Sequence, residues 1–186
     1  MSLFKSKKEF ETVALPLIDD LFRFTLRVTR NRTEAEDIVQ EAYFEAWKSF
    51  HRFERGTNCR AWMFKILFHM IQRSRRRWVQ FNSKLTDIGE DSIEETIAYE
   101  PPVSEDLSDE DVIAALDRLP QSYSEVIVLA DVHEFAYREI AEILDIPIGT
   151  VMSRLNRGRK LLRRELADYA RACGVKNVET VHTAKA

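Results

Sequence analysis

A chain of 186 residues, 45% hydrophobic and 32% charged with a net charge of −3, can bury one ordinary core or two small ones. Two cysteines, Cys59 and Cys173, exclude a cysteine-built zinc cluster, and no apolar run approaches the length of a bilayer span, so no membrane insertion is expected. Lys5, Lys7 and Lys8 are followed by Glu9 and Glu11 rather than by a signal-peptide core, which points to the cytoplasm and to free thiols. Five glycines, five prolines and scarce β-branched alternation favour an all-α fold.

Phe10, Val13, Ala14, Leu17, Ile18, Leu21, Leu26 and Val28 suggest a first helix, in which Pro16 marks a turn, a kink or the true start. Thr33 with Glu36 reads as a capping box. The helix it opens, "AEDIVQEAYFEAW", points Ile38, Val39, Ala42, Tyr43, Ala46 and Trp47 inward. Asp37, Gln40, Glu41 and Phe44 then fall on the opposite side, as a solvated stripe or as a seat for a partner helix. "HRFERGTNC" reads as a loop.

A further helix is expected from Arg60 to Arg77, with Met63, Ile66, Leu67 and Met70 as its core face. Opposite lie Lys65, Phe68, His69, Gln72 and Arg76, flanked by Trp62 and Arg73. Mixed rings and cations suit unstacked single-stranded bases, although the same aromatics could tuck against neighbouring helices. Residues 85–107 carry Gly89, Pro101, Pro102 and many acids and read as an extended linker. Ser108 is placed to cap a helix ending before Pro120, and Ser122 with Glu125 forms another capping box before "VIVLAD".

The last stretch has helix-turn-helix spacing. Ile140, Ala141 and Leu144 make a short apolar face, with Ala141 small enough for a close crossing; "DIPI" makes the turn. Val151, Leu155, Gly158 and Leu162 point inward on the second helix. Ser153, Asn156, Arg157, Lys160 and Arg164 cluster on its other side, offering the hydroxyl, amide and guanidinium groups that a major groove takes, where an ordinary hairpin would have only a solvated basic face.

Charge is segregated. From Arg55 to Thr86 there are bases and no acid, from Asp87 to Asp111 acids and no base, and a basic run follows Asp145. His51, His69, His133 and His182 lack metal-ligand spacing, and no nucleophile–base pair is visible, so neither cofactor, metal nor catalysis is expected.

"AEDIVQEAYFEAW", "GTNCRAWMFKI" and "YREIAEILDIPIGTVMSRLNRGRKLL", in this order, resemble the bacterial extracytoplasmic-function (ECF) sigma factors over about Phe10 to Leu166. The resemblance implies two helical domains: residues 1–84 like sigma region 2, and residues 108–172 like region 4. The linker 85–107 would join them, and an unstructured tail, 173–186, would follow. It implies no enzymatic activity, and as partners core RNA polymerase (its β′ clamp helices and β flap), promoter DNA as duplex and single strand, and an anti-sigma factor. Asp37, Gln40, Glu41 and Phe44 would meet the polymerase. Phe53, Asn58, Arg60, Trp62, Lys65, His69, Gln72, Arg73 and Arg76 would open and hold the −10 element. Thr150, Met152, Ser153, Arg154, Asn156, Arg157 and Lys160 would read the −35 element. Two positions depart from the family: His69 stands where Asn is common, and Met152 where a basic residue is frequent. An autonomous helix-turn-helix regulator is the alternative, but it would need a ligand or dimerisation domain in place of the first two motifs.

Overall fold

In a computed structural model, the backbone is described for residues 2–82 and 109–172 and the side chains for 7–77 and 111–167. The expected linker 85–107, the Ser108 cap, Cys173 and the tail 173–186 lie outside the described residues. The described residues are helical and contain no strand. The chain divides into two compact units, Met1–Glu90 with Ala141–Asp145, and Asp91–Ile140 with Ile146–Ala186.

The first unit begins with α1 (Ser2–Ala14), a 3-10 turn (Leu15–Leu17) and α2 (Ile18–Thr29). Pro16 lies in that turn, where its missing N–H and fixed φ break one long helix into two. Arg30 closes α2 in the left-handed region at φ 55°, its N–H donating to Leu26 O at 2.8 Å. The next helix, α3 (Arg32–Ser49), is capped by Asn31 rather than by Thr33: the Asn31 side chain accepts from Glu34 N at 3.1 Å. Thr33 falls inside the first turn, because the left-handed step at Arg30 starts the helix two residues early. Ile38, Val39, Ala42 and Ala46 are buried as expected, Ala35 joins them, Trp47 is part-buried, and the part-buried Tyr43 donates its hydroxyl to Ala14 O at 2.6 Å.

A 3-10 turn (Phe50–Arg52) and a loop turning at Gly56 (φ 91°) lead to α4 (Cys59–Asn82). Its buried face is Met63, Phe64, Leu67, Phe68 and Ile71. Ile66 and Met70, expected inside, are only part-buried, and Phe68, expected outside, is 5% exposed. The stripe is rotated because α4 packs against α1, α2 and α3 together, and enclosing Phe64 and Phe68 removes more apolar area from water. Phe64 meets Phe24 of α2 edge-on at 5.4 Å.

The second unit contains α5 (Asp109–Arg118), α6 (Gln121–Ile127) running into a π turn (Val128–Val132), and α8 (Ile148–Ala172), which packs on α5 and α6. Ser122 does not cap α6. Pro120 stands at the cap, its carbonyl accepting from Tyr123 N and Ser124 N, and Glu125 is buried, taking a 2.9 Å hydrogen bond from Gln121 Nε2. Helix α7 (Tyr137–Leu144) starts where Glu139 accepts from Ala136 N at 2.9 Å. Its buried positions are Ile140, Ile143 and Leu144, while Ala141 is part-exposed. Asp145 turns the chain at φ 54°, and Pro147 O accepts from Thr150 N and Val151 N to begin α8. Close helix approach occurs instead at Gly158, where a Cβ would meet Ile127 Cδ1 at 3.0 Å and Tyr123 Cβ at 3.2 Å.

Candidate functional site

On α3, the small and apolar residues at i, i+3 and i+4 fix which side is buried, and that leaves Asp37, Gln40 and Phe44 exposed together. Phe44 is 58% exposed, with the Lys48 ammonium 4.4 Å from its ring centroid. Glu41 is drawn to one side of this stripe, pairing with Arg73 Nη1 at 3.4 Å and Arg77 Nη2 at 3.3 Å on α4. Arg73 and Glu41, expected on separate surfaces, therefore touch. Arg77 belongs with them; its spacing of four residues from Arg73 was the available signal.

The loop and α4 carry the second group. Phe53 stacks on the buried Phe50 at 5.7 Å with an interplanar angle of 11°, and Trp62 lies 5.0 Å from Phe53. Phe50 in turn meets Phe10 at 5.1 Å, so the part-exposed Phe53 and Trp62 stand on a rigid aromatic footing. Asn58 caps α4, accepting from Arg60 N at 3.0 Å and Ala61 N at 3.2 Å. Arg60 pairs with Asp20 at 3.0 Å and lies 5.5 Å from the Phe64 ring centroid. Both residues hold the loop's geometry. Lys65, His69, Gln72 and Arg76 share one face; Gln72 is part-buried and the other three are exposed.

Two part-buried groups of the first unit have shifted acidities. Burial, then the neighbouring Cys59 and Asp19, pushes the Tyr43 phenol up from 10.0 to about 12, and burial likewise raises the Cys59 thiol. Each therefore stays protonated at neutral pH and offers no nucleophile.

On α8, Val151, Leu155 and Gly158 are buried and Leu162 is part-buried. Met152, Ser153, Asn156 and Arg157 are exposed, while Thr150, Arg154 and Lys160 are part-exposed. Ser153 Oγ donates to Thr150 O at 3.0 Å. Among the described residues, no ion pair forms at Arg154 or Arg157. Arg159 behaves differently: it grips Asp131 at 2.6 and 3.2 Å. Asp131 holds its guanidinium charged and fixes α8 to the π turn. Such an arrangement can bind a polyanion along α8 and stack bases beside α4. Among the described residues, no cluster of three or more His, Cys, Asp or Glu could hold a metal, and no helix is long and apolar enough to cross a membrane.

Comparison with known proteins matches "Sigma-70 region 2" to residues 16–79 and "Sigma-70, region 4" to residues 109–162. The chain is 31% identical over 161 residues to the ECF RNA polymerase sigma factor SigW of Bacillus subtilis, covering 81% of this chain and 84% of that one. It is 32% identical over 151 residues to EcfG of Rhodopseudomonas palustris, covering 80% of each. Among solved structures it is similar to the sigma factor RpoE of Bartonella quintana, crystallised with the anti-sigma factor NepR. That match has a TM-score of 0.65 and 31% identity, covering 86% of this chain and 98% of that one. The fold is also that of CnrH, solved with the cytosolic domain of CnrY, with TM-score 0.60 and 21% identity over 87% of this chain and 90% of that one.

Proposed function

This chain belongs to the ECF RNA polymerase sigma factors, and on that premise we propose how its surfaces divide the work. It directs RNA polymerase to promoters and is not an enzyme. Residues 1–84 form the polymerase-docking and −10 domain, 108–172 the −35 domain, with 85–107 as the linker between them. The protein works in the cytoplasm.

Asp37, Gln40 and Phe44 dock on the β′ clamp helices, with Glu41 shared between that contact and Arg73 and Arg77. Phe53 and Trp62 stack unpaired −10 bases, while Lys65, His69, Gln72 and Arg76 hold the strand. Asn58 and Arg60 act by shaping the loop that carries Phe53. Thr150, Met152, Ser153, Arg154, Asn156, Arg157 and Lys160 present α8 to the −35 duplex, placing side chains against base edges and phosphates. The β flap meets the second unit. An anti-sigma factor restrains the chain, a reading supported by the RpoE–NepR complex.

The observation that carries this division is the exposed Asp37–Gln40–Phe44 stripe on the back of a buried helix face. Asp37→Arg combined with Phe44→Ala tests it, sparing the ion pairs of Glu41. Mismatched charge at an interface costs several kcal/mol. The double variant should stay helical and lose co-purification with core polymerase; undiminished co-purification would remove the stripe from the docking surface.

A further inference from the structure

Helix α8 opens with an apolar pair that its core does not use. Ile148 is 48% exposed and Met152, one turn later, is 55% exposed, at the edge of the buried stripe formed by Val151 and Leu155. Asn156 follows Met152 by one turn, and the exposed Ser153 and Arg157 stand further round the helix; all three suit a polyanionic surface. A thioether and a sec-butyl group cannot hold a phosphate. The leading residues of the second helix in a helix-turn-helix are those that reach base edges. A major groove presents donors, acceptors and a single kind of apolar group, the C5-methyl of thymine.

We propose that Ile148 and Met152 are specificity-determining residues that read thymine methyl groups in the −35 element. This rests on the −35 reading of α8. It explains how a helix lacking the usual cation at position 152 can still discriminate bases: contact with a methyl replaces a charged contact. It also adds Ile148, which no polar or charged pattern would single out.

The test uses holoenzyme assembled from core polymerase and the full chain. A promoter library randomised at the −35 element is transcribed, and the strongest element is remade with each thymine, on either strand, replaced singly by deoxyuridine. That replacement removes one methyl and leaves every hydrogen-bonding group in place. At one or two positions the natural chain should lose affinity about three- to fourfold, the weight of one buried methyl group. Met152→Ala and Ile148→Ala, which retain helix propensity, should each abolish the penalty at its own position.

The proposal is overturned if the strongest element lacks thymine, if no uridine weakens binding, or if both variants keep the penalty. It is equally overturned if the variants weaken binding to core polymerase while the penalty stands, which would make the pair a protein contact. A holoenzyme with no −35 dependence would defeat the underlying reading and this inference with it. Dependence without a uridine penalty would defeat this inference alone.

Discussion

Arg157 and Arg159 stand two residues apart on α8 and are committed to different tasks. Arg159 is clamped by Asp131 at 2.6 Å, whereas Arg157 is exposed and forms no ion pair among the described residues. Arg157→Ala should therefore cost promoter binding about 1–3 kcal/mol if the side chain grips a guanine in bidentate fashion, and the loss should vary with −35 sequence. A phosphate contact would weaken all promoters alike and lower the salt slope by about one. Unaltered affinity would take Arg157 out of the site. Helical phase put Arg157 on the outer side of α8, where it is exposed. Nothing local could assign Arg159, because Asp131 lies 28 positions away. Arg60 was opaque for the same reason, since its ion-pair partner Asp20 lies 40 positions away, whereas the Asn58 cap is local, an Asn directly ahead of a helix.

Tyr43 gives a residue-level test of the first unit. Its folded pKa of about 12 stands above the ordinary 10.0, so the fold favours the protonated phenol. That contribution is full below pH 10 and is lost as pH rises towards 12. Urea unfolding should show stability falling across this window, and Tyr43→Phe should flatten the fall. The variant should also lose about 1 kcal/mol at neutral pH with the hydrogen bond to Ala14 O. An unchanged alkaline slope in the variant would contradict the assignment.

At the scale of elements, α8 depends on how closely it lies on α6. Gly158 has no room for a branched side chain, with Ile127 and Tyr123 within 3.0–3.2 Å of its missing Cβ. Gly158→Leu should destabilise by about 1–3 kcal/mol through overpacking. In Gly158→Ala the clash is set against about 1 kcal/mol of helix propensity, leaving a smaller effect. Thermal unfolding of both variants checks this; an unshifted midpoint in the leucine variant would mean that α8 has slack. Sequence had already turned Gly158 inward, but it assigned the close crossing to Ala141, since smallness alone does not show which neighbour approaches. Helix existence and the inward face of α3 were legible because alanines and β-branched residues recur with one phase. The phase of α4 was ambiguous: Met63–Leu67–Ile71, Phe64–Phe68 and Ile66–Met70 are all apolar series, and only the helices packed around α4 choose among them. Cap positions failed where two competent residues stood close together, as with Asn31 and Thr33.

Across the whole molecule, a net charge of −3 conceals basic faces on α4 and α8 separated in sequence by an acidic stretch from Asp87 to Asp111. Such segregation suits a subunit that grips nucleic acid only as part of a larger assembly, since the acidic stretch offsets the long-range attraction of the free chain for a polyanion. The three motifs made the assignment readable without a structure, because their order and spacing are long-range properties of the chain. Run-off transcription by purified core polymerase on a genomic promoter library, with and without the chain, tests this assignment most directly. Addition of the chain should produce discrete transcripts whose start sites share one −35 and one −10 element at constant spacing. Transcripts that are the same with and without it, or DNA binding to a defined operator that needs no polymerase, would contradict the assignment.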